Sequence, residues 1–124
     1  MTKGIWLCAP GALGTIARYG LGGFVQRISG AGFPWGTVAM NLTGCLLFGL
    51  AFSALESRIQ VRPEFRTIVF IGFFGAFTTF SSFVAETVSL MDDSQWFYAG
   101  ANLMGQNVLG IAALLAGLAL GRML

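Results

Sequence analysis

The chain has no histidine, and only 10% of its 124 residues are charged. The missing histidine removes the commonest general base and the commonest transition-metal ligand. Only two cysteines occur, Cys8 and Cys45, both inside apolar runs and without CxxC spacing. Each reads as a small packing residue and not as a redox or zinc ligand. There is no GxxxxGK(S/T) phosphate loop, and no carboxylate pair or nucleophile–base pair of the kind an enzyme uses. The net charge of +2 is too small and too scattered for nucleic acid. A soluble domain carries about 25% charged residues, so the shortfall makes lipid the expected solvent.

What the chain has is apolar length and glycine. Hydrophobic residues make up 56% of it, and 18 glycines suit close helix contacts in a membrane. A membrane helix needs ~20 mostly apolar residues, and four stretches qualify: about Gly4 to Gln26, Trp35 to Leu55, Thr67 to Leu90 and Trp96 to Leu120. The first runs on past Arg18 and is followed by three more, so it reads as a membrane helix and not as a cleaved leader. The links RISGAGFP, ESRIQVRPEFR and MDDSQ are short. The expected architecture is therefore an all-α membrane protein with four transmembrane helices in a single domain, residues 1–124. Trp6, Trp35, Trp96 and Tyr98 lie near span ends, where amphipathic rings sit at headgroup level. Lys3, Arg58, Arg62, Arg66 and Arg122 fall on one side of such a bundle and only Arg27 in a loop on the other, which favours cytoplasmic termini.

Polar groups inside a span usually face a protein interior or a water path. Arg18 lies in the first span and Asn41 and Thr43 in the second; Thr78, Thr79, Ser81, Ser82 and Glu86 lie in the third, and Asn102, Gln106 and Asn107 in the fourth. Asn102, Gln106 and Gly110 recur every four residues and form one face. That stripe suits interhelical hydrogen bonding as well as a pore. The third span carries GFFGAFTTFSSF, from Gly72 to Phe83, with glycines and hydroxyl residues that can interrupt a helix. A break there frees carbonyl oxygens for a hard cation; the alternative is a continuous Gly-rich packing helix. Phe80 and Phe83 share a face and serve either packing or, through their positive ring edges, contact with an anion.

These motifs resemble the Fluc fluoride channels, also called CrcB proteins. GALGTIARYG (Gly11 to Gly20), NLTGCLLFG (Asn41 to Gly49), GFFGAFTTFSSF and the closing ALGRML follow the family order over nearly the whole chain. The resemblance implies a third helix broken near mid-membrane and a dual-topology, antiparallel homodimer with two pores in the cell (inner or plasma) membrane. It implies a non-enzymatic, passive, fluoride-selective channel that exports fluoride from the cytoplasm. The implied fluoride pore comprises Asn41, Phe80, Phe83, Ser82, Thr79, Asn102 and Gln106. Arg18 matches the vestibule arginine and Glu86 the acid that follows the break. Gly75 and Thr78 match the positions whose backbone carbonyls hold a central structural Na⁺, and no organic cofactor is implied. Gln106 departs from the family, which commonly has a smaller hydroxyl residue there. Two other readings are a small multidrug exporter, for which Glu86 is the one candidate membrane acid, and a non-transporting assembly subunit.

Overall fold

In the computed structural model, residues 2–57 and 60–124 are described, with the side chains of Thr2 and Lys3 excepted. Arg58 and the Lys3 side chain, both part of the loop-charge asymmetry, lie outside the described residues. The described chain is all-helical, with no strand. After a single turn, Thr2–Ile5, come α1 (Cys8–Ser29), α2 (Trp35–Glu56), an interrupted α3 within Pro63–Asp92, and α4 (Trp96–Arg122).

The helix starts follow local chemistry. The first span was expected to run from Gly4, yet the regular helix starts at Cys8. Pro10 has no N–H to bond back into a preceding turn, and proline is tolerated only in the first turn. Pro63 opens α3 in the same way. Gly30, with φ 90°, ends α1 in a backbone region that favours glycine. Gln26 then fastens the α1–α2 link. Its Nε2 donates to the carbonyls of Gly30 and Phe33, and its Oε1 accepts from the Gly36 N–H at 3.0 Å.

Among the described residues, three helices are both long enough and apolar enough to cross a membrane: α2, the α3 segment Pro63–Asp92, and α4. Four were expected. At 22 residues α1 is long enough to span, but Arg18, Gln26, Arg27 and five glycines lower its apolarity. Close backbone contact holds the bundle. The α2 and α4 backbones meet at Gly49, Gly117 and Gly121; a Cβ at Gly117 would lie 2.1 Å from the Leu46 carbonyl oxygen. This is the small-residue packing of membrane helices, where dispersion and not water exclusion draws helices together. Gly14 brings α1 equally near the Phe73 carbonyl of α3.

The first half of α3 runs over residues 63–77 and is wound wide over Ile68–Phe74, a π-type segment in which the Gly75 N–H reaches back five residues to the Phe70 oxygen. The second half, α3b, is Ser81–Asp92. The wide segment turns Phe70 and Phe74 together onto Phe48 of α2, with ring centroids 4.8 and 5.6 Å away.

Candidate ion pathway at the broken helix

The helix stops at Phe77. Thr78 is extended, with φ −90° and ψ 160°, and α3b begins at Ser81. The resemblance implied a broken third helix, and the break falls at residues 78–80, inside the Gly72–Phe83 motif.

Side chains take over the lost backbone bonds. The Thr79 N–H donates to Asn41 Oδ1 at 2.9 Å, and Asn41 Nδ2 donates to the Thr79 carbonyl at 3.1 Å. The Asn41 amide thus pairs with Thr79 as a neighbouring backbone would. The Ser82 N–H donates to Thr79 Oγ1 at 3.2 Å. In an unbroken helix the Thr79 and Ser82 N–H groups would serve the carbonyls of Gly75 and Thr78. Diverted as they are, neither carbonyl receives a hydrogen bond from any described residue. An oxygen left unbonded away from water needs another partner, and a hard cation is one such partner.

A chain of hydrogen bonds leads away from Asn41. Its second Nδ2 hydrogen goes to Gln106 Oε1 at 2.8 Å. Gln106 Nε2 donates to Asn102 Oδ1 at 2.8 Å, and Asn102 Nδ2 to Thr87 Oγ1 at 2.9 Å. Thr87 in turn donates to the Phe83 carbonyl at 2.8 Å. The ladder therefore joins α2, α4, the break at Thr79 and the second half of α3. Asn102 is fully enclosed, at 0% exposure, so it reaches any ion only through Gln106.

The expected site residues separate into two grooves. One, of about 330 Å³, is lined by Asn41, Thr78, Thr79, Phe80, Phe83 and Gln106. The Phe80 and Phe83 rings lie 5.9 Å apart at 48°; Phe83 is 6% exposed and Phe80 77%. The other groove, of about 320 Å³, gathers Arg18, Thr37, Ser82 and Glu86. There Thr37 Oγ1 donates to Glu86 Oε1 at 2.7 Å, while Glu86 Oε2 is buried without a hydrogen-bond partner. Gly75 lines neither groove and is exposed on the outer face of the bundle.

Three contributors escaped sequence reasoning. Thr37 precedes Asn41 by four residues and Thr87 follows Phe83 by four, so helical spacing could have placed both. Gly44 had no such signal. A Cβ there would lie 2.3 Å from Thr78 Cγ2, so glycine lets α2 reach the break.

Residues 5–118 match the family described as CrcB-like protein, Camphor Resistance (CrcB). The chain belongs to the CrcB (Fluc) family. A CrcB relative named Fluoride-specific ion channel FluC, from Desulforapulum autotrophicum, is 48% identical over 122 residues, 98% of each chain. Proteins of the same name from Solidesulfovibrio magneticus and Maridesulfovibrio salexigens are 48% and 42% identical. They cover 96% and 100% of this chain, and the match spans 95% and 98% of theirs. These relatives are named as ion channels, not enzymes, and the three apolar helices fit a CrcB protein seated in a membrane.

Proposed function

We propose that the protein is a passive, fluoride-selective channel that lets fluoride leave the cytoplasm across the inner membrane and lowers its concentration there. The observation that carries this reading is the interrupted third helix. It brings the Asn41 amide, the Phe80 and Phe83 rings and Thr78 to one groove, in a chain whose relatives, matched over nearly their full length, are named fluoride channels.

Fluoride is small and strongly hydrated, so its path must replace water with donors. In the groove it shares with Glu86, Arg18 supplies a cation that attracts anions, and the Ser82 hydroxyl there can donate. At the break, Asn41 Nδ2 would exchange its bond to Gln106 Oε1 for one to fluoride, the stronger acceptor, while its bond to Thr79 holds the amide in place. The Thr79 hydroxyl is the next donor. The edges of Phe80 and Phe83 offer weak positive contacts, which lets an ion leave as readily as it enters. Gln106 accepts the Asn41 amide between passages, and Asn102 orients Gln106.

The freed carbonyls of Gly75 and Thr78 fit Na⁺, which would supply a fixed positive charge between the two halves of α3. Both grooves are open along one side in a single chain. A second copy inserted antiparallel would close them, making two pores with the cation on the shared axis. With no phosphate loop and no proton-trading carboxylate pair, flow follows the electrochemical gradient.

The test is ion efflux from liposomes holding the purified protein. Fluoride should leave rapidly and chloride should not. Equal rates for both ions, or no fluoride efflux, would overturn the reading.

A further inference from the structure

We propose that the N-terminal end of α3 carries a binding site for a phospholipid headgroup with one phosphate and one primary ammonium, a phosphoethanolamine headgroup. The site is separate from the ion grooves and does not depend on the channel reading. A cavity of about 540 Å³ lies between the start of α3 and the turn that leads into α1. That volume falls in the ~300–1,000 Å³ range of small-molecule sites.

Its lining is zwitterionic and layered. Arg62 and Glu64 both face the cavity, so it presents one cation and one anion two residues apart. Trp6, 67% exposed, and Phe65, 49% exposed, form aromatic walls, as at the headgroup level of membranes. Leu7 and Ile68 line it as well and offer apolar surface for the first acyl methylenes. The complement of this pattern is a group that carries both charges on an apolar tail. The Arg62 guanidinium donates to the phosphate oxygens. The Glu64 carboxylate accepts N–H bonds from the ammonium, and the face of Trp6 attracts the same cation. A glycerol headgroup satisfies Arg62 but sets its net negative charge against Glu64. A choline headgroup carries both charges but has no N–H to give Glu64.

The experiment measures lipid retained by the full-length protein from an equimolar mixture of phosphatidylethanolamine, phosphatidylcholine and phosphatidylglycerol with identical chains. The native protein should retain phosphatidylethanolamine about fivefold over each of the others, the effect of one partly exposed ion pair. Glu64→Gln should abolish the preference over phosphatidylcholine while both lipids still bind. Arg62→Ala should reduce retention of all three, and Arg122→Ala, at the C-terminal end of α4 and outside the cavity lining, should change nothing. Soluble phosphoethanolamine at the same concentration should not compete, because it has no chains to seat. The proposal is overturned if the native protein retains the three lipids equally or prefers phosphatidylglycerol. It is also overturned if Glu64→Gln keeps the ethanolamine preference, if Arg122→Ala matches Arg62→Ala, or if soluble phosphoethanolamine competes.

Discussion

Asn41 has no spare hydrogen: both Nδ2 donors and its Oδ1 are engaged, two of the three contacts on Thr79. The residue that would meet the ion is thus the one that holds the helix open, and the two roles share one amide. Asn102 differs, being enclosed and acting at a distance. Asn102→Ala leaves Thr87 and Gln106 each short of a buried partner, which should lower stability by about 1–3 kcal/mol. It should also slow fluoride efflux, because Gln106 loses its anchor. Thr87→Val removes the other end of the same bond, so the double variant should be less destabilised than the sum of the singles. Thermal unfolding of all three in detergent checks this, and strict additivity would break the ladder argument. The two phenylalanines should separate as cleanly. Phe83 is 6% exposed and Phe80 77%. Phe83→Ile should therefore cost stability, about 1 kcal/mol for a volume-altering core change. Phe80→Ile should leave the unfolding midpoint almost unmoved, yet lower fluoride efflux by about two- to tenfold if a ring edge contributes its usual 0.5–1.5 kcal/mol.

At the scale of elements, the break persists because α2 comes close enough to supply Asn41, and α2 comes close because residue 44 is glycine. Gly44→Ala should push Thr78 away from α2, costing about 1–3 kcal/mol as overpacking does, and should reduce efflux. Thr78→Ser removes the methyl that the new Cβ meets at 2.3 Å while keeping the residue 78 carbonyl. The double variant should regain part of both losses; no recovery would place the damage elsewhere. Residue periodicity made the helices legible, and Trp35 and Trp96 open their helices where the aromatic signal put them. The break was legible only as a composition, Gly72 to Phe83, because which residue leaves the helix depends on a partner 38 positions away, Asn41. The wide winding of Ile68–Phe74 was not legible at all. Its bonds are the same N–H and C=O groups shifted by one residue, and no residue spacing in the sequence separates the two patterns. Gln26 likewise looked like the last polar residue of a span, when its amide ties down two carbonyls of the following loop and the Gly36 N–H in the first turn of α2.

At the scale of the whole molecule, a single chain leaves apolar side chains exposed along both outer helices, among them Ile16, Tyr19 and Phe24 on α1 and Met104, Ile111 and Leu115 on α4. Lipid can cover them, but lipid cannot satisfy the carbonyls of Gly75 and Thr78. On the antiparallel-dimer reading proposed above, Gly75 is where a partner would begin. Its φ of −60° suits any residue, and a Cβ there would meet nothing within the chain nearer than 3.9 Å, the Phe70 oxygen. One chain alone therefore gives no reason for glycine at this position, in contrast to Gly44, Gly49 and Gly117. If the Gly75 oxygens of two antiparallel copies converge on a shared cation, the backbones there approach each other and a methyl group from each copy would hold them apart. Gly75→Ala should accordingly keep the helical content and the monomer's unfolding behaviour. It should also weaken association between copies and remove both fluoride efflux and the dependence of the dimer on Na⁺. With Cys8 and Cys45 replaced by serine, crosslinking through a cysteine introduced near one end of α4 reads the association and its sense, since antiparallel copies join such a cysteine only to one introduced at the opposite end. A Gly75→Ala protein that still dimerises and conducts at the native rate would remove the shared axis from this site, and with it the closed pores.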